Sequence, residues 1–131
     1  MRIKNLLGHK KLSFLAAAAT LVLTYLSLGN ISAPMMTVSN SDKIAHSIAY
    51  FVFTWIWFVF FYFSEKFQLS FVKSLLYASV LCFVYGVLME VSQGVFTNYR
   101  YVELFDIAAN TSGIVIAVIF IRILKNTLVR I

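Results

Sequence analysis

The chain has 131 residues, 61% of them apolar and 12% charged, with 11 Lys and Arg against 5 Asp and Glu. Soluble domains run at roughly 45–50% apolar and about 25% charged, and so short a chain has too little interior to hide this much apolar surface in water, so a water-soluble globular fold is excluded in favour of one solvated by lipid. The cations flank apolar runs and form no basic patch with interleaved aromatics, which excludes nucleic acid as partner, and the lone Cys82 excludes an internal disulfide or a CxxC zinc site.

Four apolar stretches follow one another, at 12–28, 44–63, 71–89 and 107–124. Each approaches the roughly 17–25 residues that cross a hydrocarbon core about 30 Å thick. They are continuous runs without period-two alternation, which predicts helices instead of barrel strands. A helix also satisfies its backbone N–H and C=O groups without water. Connections are short, with no repeat or linker, so the expected architecture is all-α: one domain over 1–131, a polytopic integral membrane four-helix bundle. The first stretch has a basic start and is followed by Ile31-Ser32-Ala33, which resembles a secretory signal and its cleavage site. Pro34 directly after such a cut suits a peptidase poorly, so the stretch is read as a retained span.

Orientation follows from the cations, because Lys and Arg near span ends are held on the cytoplasmic side. Arg2, Lys4, Lys10 and Lys11 precede or open the first span; Lys66 and Lys73 lie between the second and third; Arg122, Lys125 and Arg130 close the fourth. The other two connections hold only Lys43 and Arg100. Both termini are therefore expected in the cytoplasm, with Lys73 and Arg122 snorkelling to the inner headgroups. SNSDKIAHSIAY, opening span two, and EVSQGVFTNYRYVELFDIAAN, between spans three and four, then share the outer face.

Helical residues four apart are rotated by about 40° and those seven apart by about 20°, so they line one stripe. Asp42, His46, Tyr50 and Phe53 do so on span two, Ser79, Phe83, Gly86, Glu90 and Gln93 on span three, and Asp106, Asn110, Gly113 and Ala117 on span four. Each stripe is polar at its outer end and small or aromatic below, where small residues permit close helix contact. Asp42 and Asp106 have a plainer use as caps for free N–H groups at helix N-termini. His46 and Asn110 lie one turn, about 6 Å, deeper than their Asp. Polar groups there face protein or a water cavity, and an interhelical hydrogen bond would serve as well as a site. Glu90 falls at the dipole-negative end of span three and needs a partner, with Arg100 the first choice and Lys43 the second. The candidate site is a cluster of His46, Glu90, Gln93, Arg100, Asp106 and Asn110, with Asp42 and Lys43 beside it and Tyr50 beneath. Phe96, Tyr99 and Tyr101 suit the water–lipid boundary, and the aromatic run 51–63 reads as lipid-facing and packing surface.

In order and spacing, Asp42-Lys-x-x-His46, Tyr50, Gly86-x-x-x-Glu90-x-x-Gln93, Arg100 and Asp106-x-x-x-Asn110-x-x-Gly113 resemble the VanZ-like family of small bacterial membrane proteins, over roughly residues 40–120. One departure follows Arg100, where the family usually has a small residue such as Ser two or three positions on. This chain has Tyr101, Val102 and Glu103 there, which weakens the expectation of ligand contact by that turn. The family is named for a protein that lowers susceptibility to the glycopeptide teicoplanin. The resemblance therefore implies a multi-pass protein of the bacterial inner (cell) membrane, and an outer polar cluster agrees with it because glycopeptides act outside the membrane.

Three functions compete. A non-enzymatic envelope protein could use the cluster to bind a lipid headgroup, a lipid-linked cell-wall precursor or a glycopeptide and so modulate antibiotic susceptibility, with Arg100 and Lys43 near phosphate. An intramembrane enzyme on a lipid-linked envelope substrate could use His46 as acid or base, oriented by Glu90 or Asp106, or hold a divalent cation on His46, Glu90 and Asp106. A structural or accessory bundle would need the polar seams only to fix helix register. HExxH, GxSxG and a phosphate-cradling Gly-rich loop are all missing. The first function is therefore preferred, with membrane lipids as partners and with no cofactor and no metal expected.

Overall fold

The computed structural model of the protein describes residues 8–29, 41–98 and 101–130. They form helices α1 (His9–Leu28), α2 (Ser41–Phe63), α3 (Phe71–Phe96), α4 (Leu104–Ile123) and a short α5 (Lys125–Arg130). The first four, of 20, 23, 26 and 20 residues, are long and apolar enough to cross a membrane, spanning ~30–39 Å at about 1.5 Å per residue. They overlap the four predicted spans, α3 running on beyond its predicted end. Their outward surfaces remain apolar, Phe14, Leu21 and Ile123 being 77%, 70% and 71% exposed, as lipid solvation allows.

Contacts between helix ends fix the topology. His9, opening α1, places Nδ1 2.7 Å from the Oγ of Ser64, just past α2. Lys43 and His46, opening α2, reach acids on α3 and at the start of α4. Successive helices therefore alternate in direction, the up-down-up-down arrangement that short connections favour. One such connection, 64–70, includes Gln68 at φ 46. Ser70 ends it by capping α3, its hydroxyl accepting from the Lys73 N–H at 3.4 Å.

α2 is the central helix, touching α1, α3 and α4, and it packs most extensively on α4. Its aromatic run, expected as lipid-facing and packing surface, is mainly packing surface. Phe53, Phe58, Phe60, Tyr62 and Phe63 are all buried. Phe58 stacks on Tyr62 with centroids 5.5 Å apart and meets the edge of Phe71 at 5.2 Å, an arrangement that adds about 0.5–1.5 kcal/mol per pair to simple burial. Leu12, Ala16, Leu75, Ala78 and Ile121 complete this part of the core.

α3 departs from expectation twice. Its buried seam runs through Ala78 and Cys82, both fully buried, then Gly86, Glu90 and Gln93, whereas Phe83 of the predicted stripe is 45% exposed and Ser79 half-buried. Small side chains let the neighbouring helices approach, and lipid accepts the larger ring. The helix also runs on to Phe96 instead of stopping at 89, ending where the Thr97 N–H and hydroxyl both bond the Gln93 carbonyl, at 3.2 and 2.6 Å. Glu90 is thus an interior helix residue and not a terminal one, so the reason drawn from the dipole-negative end lapses. α1 is tied to α3 by polar contacts that were not anticipated: Tyr85 Oη lies 2.6 Å from Thr24 Oγ1, and Gln93 Nε2 donates to the Ser27 carbonyl at 2.9 Å.

Candidate functional site

The polar ends of α2, α3 and α4 meet at one end of the bundle, and two glycines make the approach. A Cβ on Gly113 would overlap the Ser47 carbonyl oxygen of α2, and one on Gly86 would stand 3.1 Å from Tyr50 Cε1. Without side chains at these positions, α4 can lie against the α2 backbone and the Tyr50 ring can lie across α3.

His46 is the hub. Its Nδ1 lies 2.9 Å from Asn110 Oδ1. A carbonyl oxygen only accepts, which assigns the proton of a neutral ring to Nδ1 and a lone pair to Nε2. Nε2 in turn faces Asp42 Oδ1 at 3.7 Å and Asp106 Oδ2 at 3.9 Å, while Glu90 Oε1 is 3.9 Å from Nδ1. Beside this hub, Lys43 Nζ donates to Asp106 Oδ1 at 2.6 Å and to Glu103 Oε2 at 3.0 Å. Ser47 and Ser112 hydroxyls meet at 3.0 Å on the same α2–α4 seam.

Much of this cluster is shut away from solvent and lipid. Glu90, Asn110 and Asp106 are 1%, 3% and 6% exposed. The Tyr50 hydroxyl and the Asn110 amide nitrogen are buried with no hydrogen-bond partner among the described residues. Burying a polar group unmatched costs roughly 1–3 kcal/mol, so each of these two groups asks for an explanation.

Of the residues singled out from sequence, Asp42, Lys43, His46, Glu90, Asp106 and Asn110 come together here, with Tyr50 packed against Gly86, one turn of α3 before Glu90. Gln93 does not join them, being spent on α1. Arg100, and with it the expected Glu90–Arg100 pair, lies outside the described residues. Lys43, the second choice for Glu90 and expected near phosphate, is held by Asp106 and Glu103 instead. Asp106 stands in the first turn of α4, where the helix dipole favours an anion. It is not the N-cap, a position held by Glu103 with no side-chain cap hydrogen bond. Glu103 is the member that sequence reading missed. Its spacing of three from Asp106 is the signal that would have put both acids on one helical face.

The described cluster has four carboxylates against one lysine and a histidine, so it suits a cation, an amine or a hydroxyl-rich group better than a bare anion. The groove lined by Phe71, Leu75, Val118, Arg122 and Lys125, about 520 Å³ in volume, is largely apolar and belongs to the opposite end of the bundle. Among known proteins, the model of the family described as VanZ/LLP1 matches residues 7–125. No curated protein and no solved structure matches the chain.

Proposed function

The chain belongs to the VanZ/LLP1 family and is a multi-pass membrane protein; from that premise we propose that its polar end faces the outside of a bacterial cell membrane and binds the headgroup of an envelope lipid, a lipid-linked cell-wall precursor or a glycopeptide, thereby modulating antibiotic susceptibility. The observation that carries this reading is the convergence of Asp42, His46, Glu90, Asp106 and Asn110 from three helices, beside a tyrosine hydroxyl and an amide nitrogen that are buried without partners among the described residues. Fixing helix register needs one or two interhelical hydrogen bonds. It does not need two buried carboxyl groups, Glu90 and Asp106, each of which is costly at membrane depth. Among the described residues of the cluster the acids outnumber the cations, which favours ligands that offer amines and hydroxyls, as sugar–peptide precursors, glycopeptides and aminophospholipids all do.

The external placement is supported by the order of cations in the sequence, nine of the 11 Lys and Arg falling near the start of the first span, between the second and third, or at the close of the fourth. In a Cys82→Ser background, Ser41→Cys and Tyr101→Cys should react with a membrane-impermeant thiol reagent added to intact cells, and Glu65→Cys should not. The reverse pattern would place the cluster in the cytoplasm and exclude a glycopeptide as ligand. For binding, detergent-purified protein would be titrated with teicoplanin and with a short-chain, water-soluble analogue of a lipid-linked disaccharide-peptide. His46→Ala and Asp42→Asn should each weaken binding by about tenfold or more, the scale of one charge-assisted hydrogen bond, at unchanged helical content. Unaltered affinity in both variants would remove the cluster from the binding surface.

A second reading, an enzyme on a lipid-linked substrate, is favoured by one observation: His46 stands within 4 Å of three carboxylates, the setting in which an imidazole serves as acid or base. Conversion of the precursor analogue by wild type, lost in His46→Ala, would select it over simple binding.

A further inference from the structure

We propose that Asp42, His46 and Asp106 form a binding site for one divalent cation of the Zn²⁺ or Mn²⁺ kind. One ligand atom from each, an imidazole nitrogen and two carboxylate oxygens, lies within 4.8 Å of the others. The separations of 3.7 and 3.9 Å from His46 Nε2 to the two carboxylates are too long for hydrogen bonds. Ligands bonded to a tetrahedral metal at about 2.0–2.2 Å stand about 3.3–3.5 Å apart. A contraction of a few tenths of an ångström brings each carboxylate oxygen to that spacing from His46; the two carboxylates, within 4.8 Å of each other, close further by movement of Asp42, whose side chain is 34% exposed.

The surrounding groups are arranged as the outer partners of metal ligands are. Asn110 Oδ1 accepts the Nδ1 proton of His46, which fixes the ring and leaves the Nε2 lone pair aimed at the two carboxylates. A lone pair facing two anionic oxygens is repulsive unless a proton or a cation lies between them. Lys43 occupies Asp106 Oδ1 and leaves Oδ2, the oxygen nearer His46, open to a ligand bond. Metal-bound histidines and carboxylates are held by second partners in this manner. Mixed imidazole and carboxylate donors suit Zn²⁺, Mn²⁺ and Fe²⁺, whereas Mg²⁺ and Ca²⁺ prefer oxygen alone.

The Asn110 amide nitrogen, on the residue that holds His46, and the Tyr50 hydroxyl, one turn below His46 on α2, are buried donors without partners among the described residues. Three protein ligands leave a coordination position open for water or a further ligand. The cation site does not depend on the headgroup reading, because its ligands are complete without lipid.

The test uses the full chain in maltoside detergent, with any affinity tag removed and prior metal stripped by a chelator. Titration with Co²⁺, followed by its visible absorption, should reach one equivalent per chain, and Zn²⁺ should displace it. Asp42→Asn and His46→Gln should each weaken Co²⁺ binding at least about tenfold, and Asn110→Ala by about 10–100-fold. Glu65→Gln, exposed beyond the far end of α2, should bind as wild type. If His46→Gln fails to fold, the half-exposed Asp42 carries the comparison. Absence of a stoichiometric cobalt spectrum, or equal affinity in Asp42→Asn, overturns the proposal in favour of a protonated His46 paired to its acids. The assay contains no glycopeptide or precursor, so a null result leaves the headgroup reading standing. Loss of headgroup binding with cobalt retained would overturn only that reading.

Discussion

Gly113→Ala should destabilise the protein by about 1–3 kcal/mol, and Gly113→Leu should abolish the folded bundle. In an ordinary helix the alanine exchange stabilises by roughly 1 kcal/mol, because glycine gives up more backbone freedom. Here the new methyl would overlap the Ser47 carbonyl oxygen and stand 2.9 Å from its carbon and 3.0 Å from the Phe51 nitrogen. All three are backbone atoms of α2, which cannot rotate aside as a side chain can. The helices must separate, and overpacking of this kind costs about 1–3 kcal/mol even for small groups. The α2–α4 seam that would open is the most extensive in the bundle. It also sets the His46–Asn110 distance, so ligand or metal binding should fail together with stability. Gly86→Ala is the internal comparison: its methyl meets the Tyr50 ring at 3.1 Å, a side chain that can shift, and the loss should stay below about 1 kcal/mol. Thermal unfolding in detergent, followed by helical signal and by monodispersity, reads both. A Gly113→Ala protein as stable as wild type would refute the close α2–α4 approach.

The second large effect is expected at Lys43. Removing its ammonium in Lys43→Met leaves the Asp106 carboxylate, whose side chain is 9% exposed, without its closest cation. Breaking one side of a fully buried pair costs about 3–5 kcal/mol. Lys43 is itself 33% exposed, so screening reduces the expectation to about 2–3 kcal/mol. Asp106→Leu added to Lys43→Met should recover most of the loss, because an apolar pair of similar volume carries no desolvation penalty. Glu103→Gln should cost under about 0.5 kcal/mol, since that acid is 55% exposed and surface pairs contribute little. A double variant no more stable than Lys43→Met alone would show that the pair is not the source of the effect. Equal losses for Lys43→Met and Glu103→Gln would point to Glu103 as the partner that matters.

These two sites mark what is and is not legible in the sequence. Gly113 is readable as a small residue on a polar-ended stripe, and the stripe on α4 is buried as expected, from Asp106 through Asn110 and Gly113 to Ala117. On α3 the stripe is legible only in its upper half, because Ala78 and Cys82 offer no stronger period than Ser79 and Phe83, and which row turns inward depends on the helices facing it. The pairing of Lys43 is not legible either, since three acids lie at comparable depth and sequence alone gives no distances between spans. Glu103 reads as a departure from a family pattern when it is a partner of Lys43.

The number of spans and their approximate limits were already decided by the order of residues, because lipid thickness prescribes a length and apolar runs either meet it or do not. The depth shared by the two polar segments followed likewise, since alternating helices return distant stretches to the same end. Which atoms touch was decided only by packing. Rotation of each helix about its axis, the extension of α3 through polar Glu90 and Gln93, and the choice of Asn110 for His46 and Asp106 for Lys43 all depend on close fit between surfaces remote in the chain. No local sum of propensities contains that fit, because a side chain's partner is set by the helix opposite and not by its own neighbours.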